Sequence, residues 1–338
     1  MISEYLSVKM RVLSFLATIM VVCLHSQLYY HSNNFNTQIQ YFISGRLCSL
    51  AVPIFFLFSG FWFFFKIDKF TFIWYSHKLK KRLHTLCLPY LLWSILGFIS
   101  VYLIKTFYNE SFNSIADISS LTLSELSYTL LWKPVGAYPL WFIRDLYIII
   151  IFSPIIYLLI RYSGLLFIAL FTILWMSNIV KCSYVYSMYF FSLGSYLSIY
   201  HKAKLEQRNC NYCLTIGVSW FILCIMLQYY DPPYYLHSFS IILGIFCLWK
   251  LYDSIPTSFI LLLNNKKLLS SSFFIYAFHE PLLTIIKSIG IHICSHQIFI
   301  FFLYFFAPFT TILIALTTAN IISSYFPNMY SILCGGRT

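Results

Sequence analysis

The side chains most able to do chemistry are a few charged and imidazole groups set in apolar sequence. His25 lies in the run ATIMVVCLHS, one residue before its end, and Arg11 stands fourteen residues before it. On a helix that separation is close to four whole turns, so both side chains point to one side, with a rise of roughly 21 Å between them. Arg46 precedes the run LCSLAVPIFFLFSG, Arg144-Asp145 lie in PLWFIRDL, and His279-Glu280 lie in SSFFIYAFHEPLL. A neutral imidazole is suited to taking a proton near neutral pH. A guanidinium grips phosphate or carboxylate oxygens by paired hydrogen bonds. Polar groups inside a membrane are expensive and usually have a task.

Each group also has a plain structural use. A histidine such as His25 can hydrogen-bond between helices. Arg144 and Asp145 can pair with other helices, Arg46 can snorkel as an interfacial anchor, and Glu280 can satisfy backbone freed by Pro281. Residue types alone stop at a membrane protein with a polar intramembrane site.

Composition sets the elements that must hold these groups. The chain has 338 residues, 60% hydrophobic, 21% aromatic and 9% charged, against about 25% charged in soluble chains. That is too few charges to clothe a soluble surface. The expected fold is an all-α polytopic bundle in the lipid bilayer, one membrane-embedded domain over 1–338, with no appended soluble domain. The net charge of +12 sets topology before it suggests nucleic acid, and no nucleic-acid partner is expected. Ten cysteines are scattered, mostly in apolar runs, and read as small core residues. Cys210 and Cys213 form a lone CxxC without the second ligand pair that zinc needs, so no metal is expected.

Apolar runs long enough to span recur about ten times, at roughly 11–30, 47–65, 83–105, 140–160, 164–180, 184–200, 213–230, 237–252, 271–292 and 297–324. His25 then lies deep in the first span, and the first run reads as a retained helix without a cleavage site. Lys66, Lys69, Lys78, Lys80, Lys81 and Arg82 fall between spans two and three. Lys202, Lys204 and Arg208 fall between six and seven, and Lys250, Lys266 and Lys267 between eight and nine. The alternate loops carry little positive charge. The longest, about 106–139, holds Glu110, Asp117 and Glu125 against Lys133. By the positive-inside rule both termini are cytoplasmic. Leu121 to Trp132 is apolar enough to lie in the interface, as a lid or a simple amphipathic connector.

The blocks, in this order, resemble the acyltransferase-3 family of integral membrane acyltransferases. ATIMVVCLHS is similar to its first-helix histidine motif. GRLCSLAVPIFFLFSGFWFF is similar to its second-helix block, in which an arginine precedes a VPxFFxxSG core. KLKKRLHTLCLPYLLW resembles its basic run and PYxxW, PLWFIRDL its WFxxxL block, FFSLGSYLS a glycine motif, and SSFFIYAFHEPLL its late histidine block. Together they run from about residue 10 to 290.

The resemblance implies an enzyme of a bacterial cytoplasmic membrane that moves an acyl group, usually acetyl, onto a hydroxyl of an envelope polysaccharide or lipid-linked glycan. The donor it implies is acetyl-CoA from the cytoplasmic side, with no bound cofactor. On the same ground His25 is the expected general base or acyl-relay residue, and Arg46 helps hold the anionic donor. Lys81 and Arg82, with Lys78 and Lys80, lie on the same expected side as the donor. His279-Glu280 could supply a second acid and base or orient the acceptor. The family arginine stands eleven residues before the histidine, which here is Ser14. Arg11 lies one turn away on nearly the same face, and either does that job from lower down or is a plain positive-inside residue. The alternative is a transporter or flippase whose polar groups line a solute path, against which the lack of an internal repeat counts.

Overall fold

The structure is a computed structural model and describes residues 3–28, 34–67, 69–108, 121–230 and 232–336. Glu110 and Asp117 lie outside the described residues. Every regular element among the described residues is helical, as expected of a chain whose backbone must satisfy itself in lipid. The order is α1 (Glu4–Leu24), α2 (Phe35–Tyr41), a π-helical segment Phe42–Leu47, a 3-10 turn Cys48–Leu50, α3 (Ala51–Phe64), α4 (Phe72–Arg82), a second π segment Leu83–Cys87 and α5 (Leu88–Tyr108). It continues through α6 (Leu123–Leu131), a 3-10 turn Tyr138–Leu140, α7 (Trp141–Ile151), α8 (Ser153–Ser177), α9 (Ser183–Tyr200), α10 (Lys202–Leu205), α11 (Cys213–Tyr229), α12 (Tyr234–Ser254), α13 (Thr257–Leu263), α14 (Lys266–Ser270), α15 (Ser272–Ile293), α16 (Gln297–Tyr325) and α17 (Pro327–Leu333).

Seven helical runs among the described residues are long and apolar enough to cross a membrane, against about ten expected: α1, Phe35–Phe64, Phe72–Ile104, α8, α12, α15 and α16. The other expected spans correspond to α7, α9 and α11, which are short or rich in serine and tyrosine. Large apolar side chains such as Ile155, Leu158, Leu165, Leu166 and Ile173 stand exposed along α8, the surface of a multi-pass membrane protein rather than of a soluble one.

Several boundaries differ from the sequence expectation, each for a local reason. α1 starts at Glu4 because the Ser3 side chain accepts from the Leu6 N–H, and it ends at Leu24. His25 is therefore the C-cap of α1 and does not lie deep in a span. The second run starts at Phe35, capped by Asn34, so Arg46 lies inside it, in the π segment, and does not precede it. The basic run Lys78–Arg82, expected in a loop, belongs to α4 and continues into α5. The break expected between spans four and five appears as a kink at Gly164 (φ 41°, ψ −115°) within α8, a conformation that glycine adopts without a Cβ penalty. Within Leu121–Trp132, Leu123–Leu131 forms α6, opened by a capping box between Thr122 and Glu125.

The chain divides into two compact units, Met1–Ser76 with Ile149–Leu269, and His77–Ile148 with Ser270–Thr338. In the first unit α3 packs closely on α9. A Cβ on Gly60 would collide with the Phe191 carbonyl, and one on Gly194 with the Leu57 carbonyl. These are the glycines of VPIFFLFSG and FFSLGSYLS, so the two blocks form one contact in which small residues let helix backbones approach. Phe61, Phe63, Phe64, Phe190 and Phe191 fill the space around it.

In the second unit the PYLLW block holds neighbouring elements by their carbonyls. Tyr90 Oη donates to Leu131 O at 2.8 Å, Ser94 Oγ to Leu130 O at 2.7 Å, and Trp93 Nε1 to Leu333 O at 3.1 Å. The first two satisfy carbonyls at the C-terminus of α6, which the helix itself leaves without partners. Trp93 also packs edge-on against Phe274 of α15.

Candidate functional site

In the first unit the Arg46 guanidinium is gathered by three elements. Its Nη1 lies 2.7 and 2.5 Å from the two ring nitrogens of His237, in the first turn of α12. Its Nη2 donates to Leu227 O at 2.6 Å, a carbonyl in the last turn of α11. The guanidinium carbon also lies 5.1 Å from the Tyr41 ring centroid, within cation–π range. Arg46 is only 8% exposed. π segments recur at functional sites, and here the extra residue in the turn coincides with the buried cation.

The same segment is tied to the end of α1. Ser44 Oγ donates to Cys23 O at 2.6 Å, two residues before His25. Beyond His25, the Leu28 N–H donates to Gln40 Oε1 at 2.9 Å, and Gln40 is fully buried. The fold thus brings His25 and Arg46 to one end of the first unit. Arg11 sits towards the other end of α1, its Nε donating to Ser7 O one turn below at 3.4 Å. Ser14, at the usual arginine position, donates to Met10 O at 2.7 Å.

Near the N-terminal end of α1 lies a group that the sequence reading missed. Lys9 Nζ and Asp253 Oδ1 form an ion pair at 2.5 Å, both side chains essentially without solvent exposure. The Lys9 ammonium stands 3.6 Å from the Trp249 ring centroid. Tyr5 Oη donates to the same carboxylate oxygen, and the Asn209 N–H donates to the other at 3.3 Å. Arg208 donates to the carbonyls of Asp253 and Ile255, each at 2.7 Å. Lys9 and Asp253 lie just outside the apolar runs at 11–30 and 237–252, so hydropathy marks neither as intramembrane. His237 stands at the edge of the run 237–252, and a histidine in an apolar helix is the sequence signal that marks it.

The second unit holds the other expected residues. Arg144 pairs with its neighbour Asp145 through Nε at 2.9 Å and Nη2 at 2.7 Å. Its Nη1 donates to Trp132 O at 2.5 Å, and the guanidinium lies 4.6 Å from the Trp132 ring centroid. Asp145 is fully buried, and Tyr90 and Tyr276 are within its electrostatic reach. His279 is fully buried, its Nδ1 2.6 Å from Tyr276 O. Glu280 departs from helical geometry (φ −105°, ψ 135°) ahead of Pro281, and accepts from Thr284 Oγ1 at 2.7 Å. Lys287, seven residues on, is within electrostatic reach of its carboxylate. Lys81 is exposed and Arg82 half-buried on α4. Among the described residues no group of three or more His, Cys, Asp or Glu side chains is placed to hold a metal ion.

Each unit therefore carries histidine, an ion pair and directed donors inside apolar helices. Comparison with known proteins adds an independent finding. Residues 9–324 match the family described as "Acyltransferase domain". The chain is also 28% identical over 316 residues to the succinoglycan biosynthesis protein ExoH of Rhizobium meliloti (strain 1021), a match covering 88% of this chain and 82% of that protein. No solved structure matches.

Proposed function

Because the chain belongs to the acyltransferase-3 family, and is thus a multi-pass membrane acyltransferase, we propose that it moves an acetyl group from acetyl-CoA to a hydroxyl of a cell-surface polysaccharide or lipid-linked glycan. The observation that carries the reading is the gathering of His25 and Arg46 at one end of the first unit. The relative's part in succinoglycan biosynthesis supports a polysaccharide acceptor.

His25 takes the proton from the acceptor hydroxyl as its oxygen attacks the thioester carbonyl. The carbon–oxygen bond forms, negative charge gathers on the carbonyl oxygen, and the carbon–sulfur bond then breaks. The imidazolium returns its proton to the departing CoA thiolate. Arg46 supplies cationic donors to the anionic reactants at this end. The positive charge that flanks alternate apolar runs supports a cytoplasmic position for both termini in a bacterial cell membrane. That places Arg11 at the donor's entry side, roughly 21 Å of helix from His25, a distance suited to an extended pantetheine arm. Within the second unit, Lys81 and Arg82 are candidate phosphate-binding cations, and His279-Glu280 a candidate acid–base pair or acceptor-orienting group.

Mass spectrometry of envelope glycans from cells with and without the protein tests the reading. Loss of an acetyl-sized mass from one sugar identifies group and acceptor together. Identical glycans in both cells would sink it.

A further inference from the structure

We propose that His237 is a positioning residue for Arg46 in acyl transfer. The inference rests on the acetyl-transfer reading above. A guanidinium donates through five N–H groups and accepts none. Here the terminal nitrogens are engaged: Nη1 by the His237 ring at 2.7 and 2.5 Å, and Nη2 by Leu227 O at 2.6 Å. Nε, by contrast, is buried and has no hydrogen-bond partner among the described residues. Leaving a buried cationic donor unsatisfied is unfavourable, so the arrangement is one that an anionic atom of the reactants completes. Leu227 fixes one corner of the guanidinium and the Tyr41 ring covers it. His237 fixes the second corner, and two fixed corners set the plane and hence the direction of the Nε–H. Without His237 the head group is free to turn about the Leu227 contact, and directed stabilisation is lost even though the charge remains.

The test uses membranes containing the full chain at matched levels, with acetyl-CoA as donor and the endogenous glycan as acceptor. His237→Leu removes the acceptor and should lower transfer by about ten- to a hundredfold, the scale set by misplacement of a positioned group. The loss should fall in the same parameter, kcat or KM, as the loss caused by Arg46→Lys. His237→Gln, whose amide oxygen can accept from Nη1, should restore most of the rate. In the double variant Arg46→Lys/His237→Leu the two losses should not multiply, because both act through one group. The role is overturned if His237→Leu transfers at the wild-type rate, if His237→Gln is as impaired as His237→Leu, or if the losses multiply. Wild-type membranes that transfer no acetyl group would overturn the acetyl-transfer reading itself, and this role with it.

Discussion

Lys9 and Asp253 form an ion pair at 2.5 Å with side chains 0% and 1% exposed, joining α1 to the last turn of α12. Both carboxylate oxygens are occupied, by Lys9 and Tyr5 on one side and the Asn209 N–H on the other. Removing one partner strands the other charge, which costs about 3–5 kcal/mol, whereas apolar replacement of both is often neutral or stabilising. Lys9→Met should therefore lower the unfolding temperature of the detergent-solubilised protein markedly, and Lys9→Met/Asp253→Leu should recover most of it. A single variant that melts with the wild type would remove this pair from the stability of the unit.

The α3–α9 contact is set by two glycines facing backbone. A Cβ on Gly60 or Gly194 meets a carbonyl of the opposite helix, which cannot rotate away as a side-chain tip would. Overpacking of this kind costs about 1–3 kcal/mol. Gly60→Ala and Gly194→Ala should each reduce the yield of monodisperse protein in size-exclusion chromatography, while Gly217→Ala, whose Cβ would find only Cys247 Sγ at 3.7 Å, should not. Equal yields for all three would mean that the helices can separate without penalty.

α6 makes a pH-dependent prediction. The Thr122 backbone and side chain hydrogen-bond to Glu125, and hold its carboxyl below the usual carboxylate range. A carboxyl lowered in the folded state stabilises above its unfolded pKa, and that contribution is lost as pH falls through its folded value. Thr122→Ala should speed amide exchange in α6 near neutral pH. The difference from wild type should narrow once Glu125 is protonated in acid. A difference that stays constant down to strongly acidic pH would show that the ionised carboxylate plays no part in the cap.

Hydropathy made the helices legible but not their ends. Ser3 lengthens α1 at its start, and the helix closes at Leu24, moving His25 from an expected interior position to a cap. Lys78, Lys80, Lys81 and Arg82 read as a loop by charge, yet they continue a helix because lysine and arginine are good helix formers. The motif glycines were visible in sequence, but their pairing was not, since it depends on which helices meet. Arg46 and His25 were recognised one by one. The contacts of Arg46 with His237 and the Leu227 carbonyl join positions far apart in the chain, and no local pattern encodes that meeting.

His25 and Arg11 share a helix but should separate in kinetics. His25 stands at the cap of α1, beside the segment that carries Arg46. Arg11 donates back to the Ser7 carbonyl of its own helix, so replacing it strands no side-chain hydrogen-bond partner among the described residues. If His25 is the base, His25→Ala removes a contribution of about 10²–10⁴-fold and lowers kcat at any donor concentration. If Arg11 meets the donor in both ground and transition state, Arg11→Gln raises KM for acetyl-CoA severalfold and leaves kcat alone. Steady-state transfer measured across acetyl-CoA concentrations, in membranes with matched protein levels, separates the two. Transfer by His25→Ala at the wild-type rate would exclude the imidazole as base. A fall in kcat for Arg11→Gln at saturating donor would place that guanidinium in the reaction step and not in donor binding.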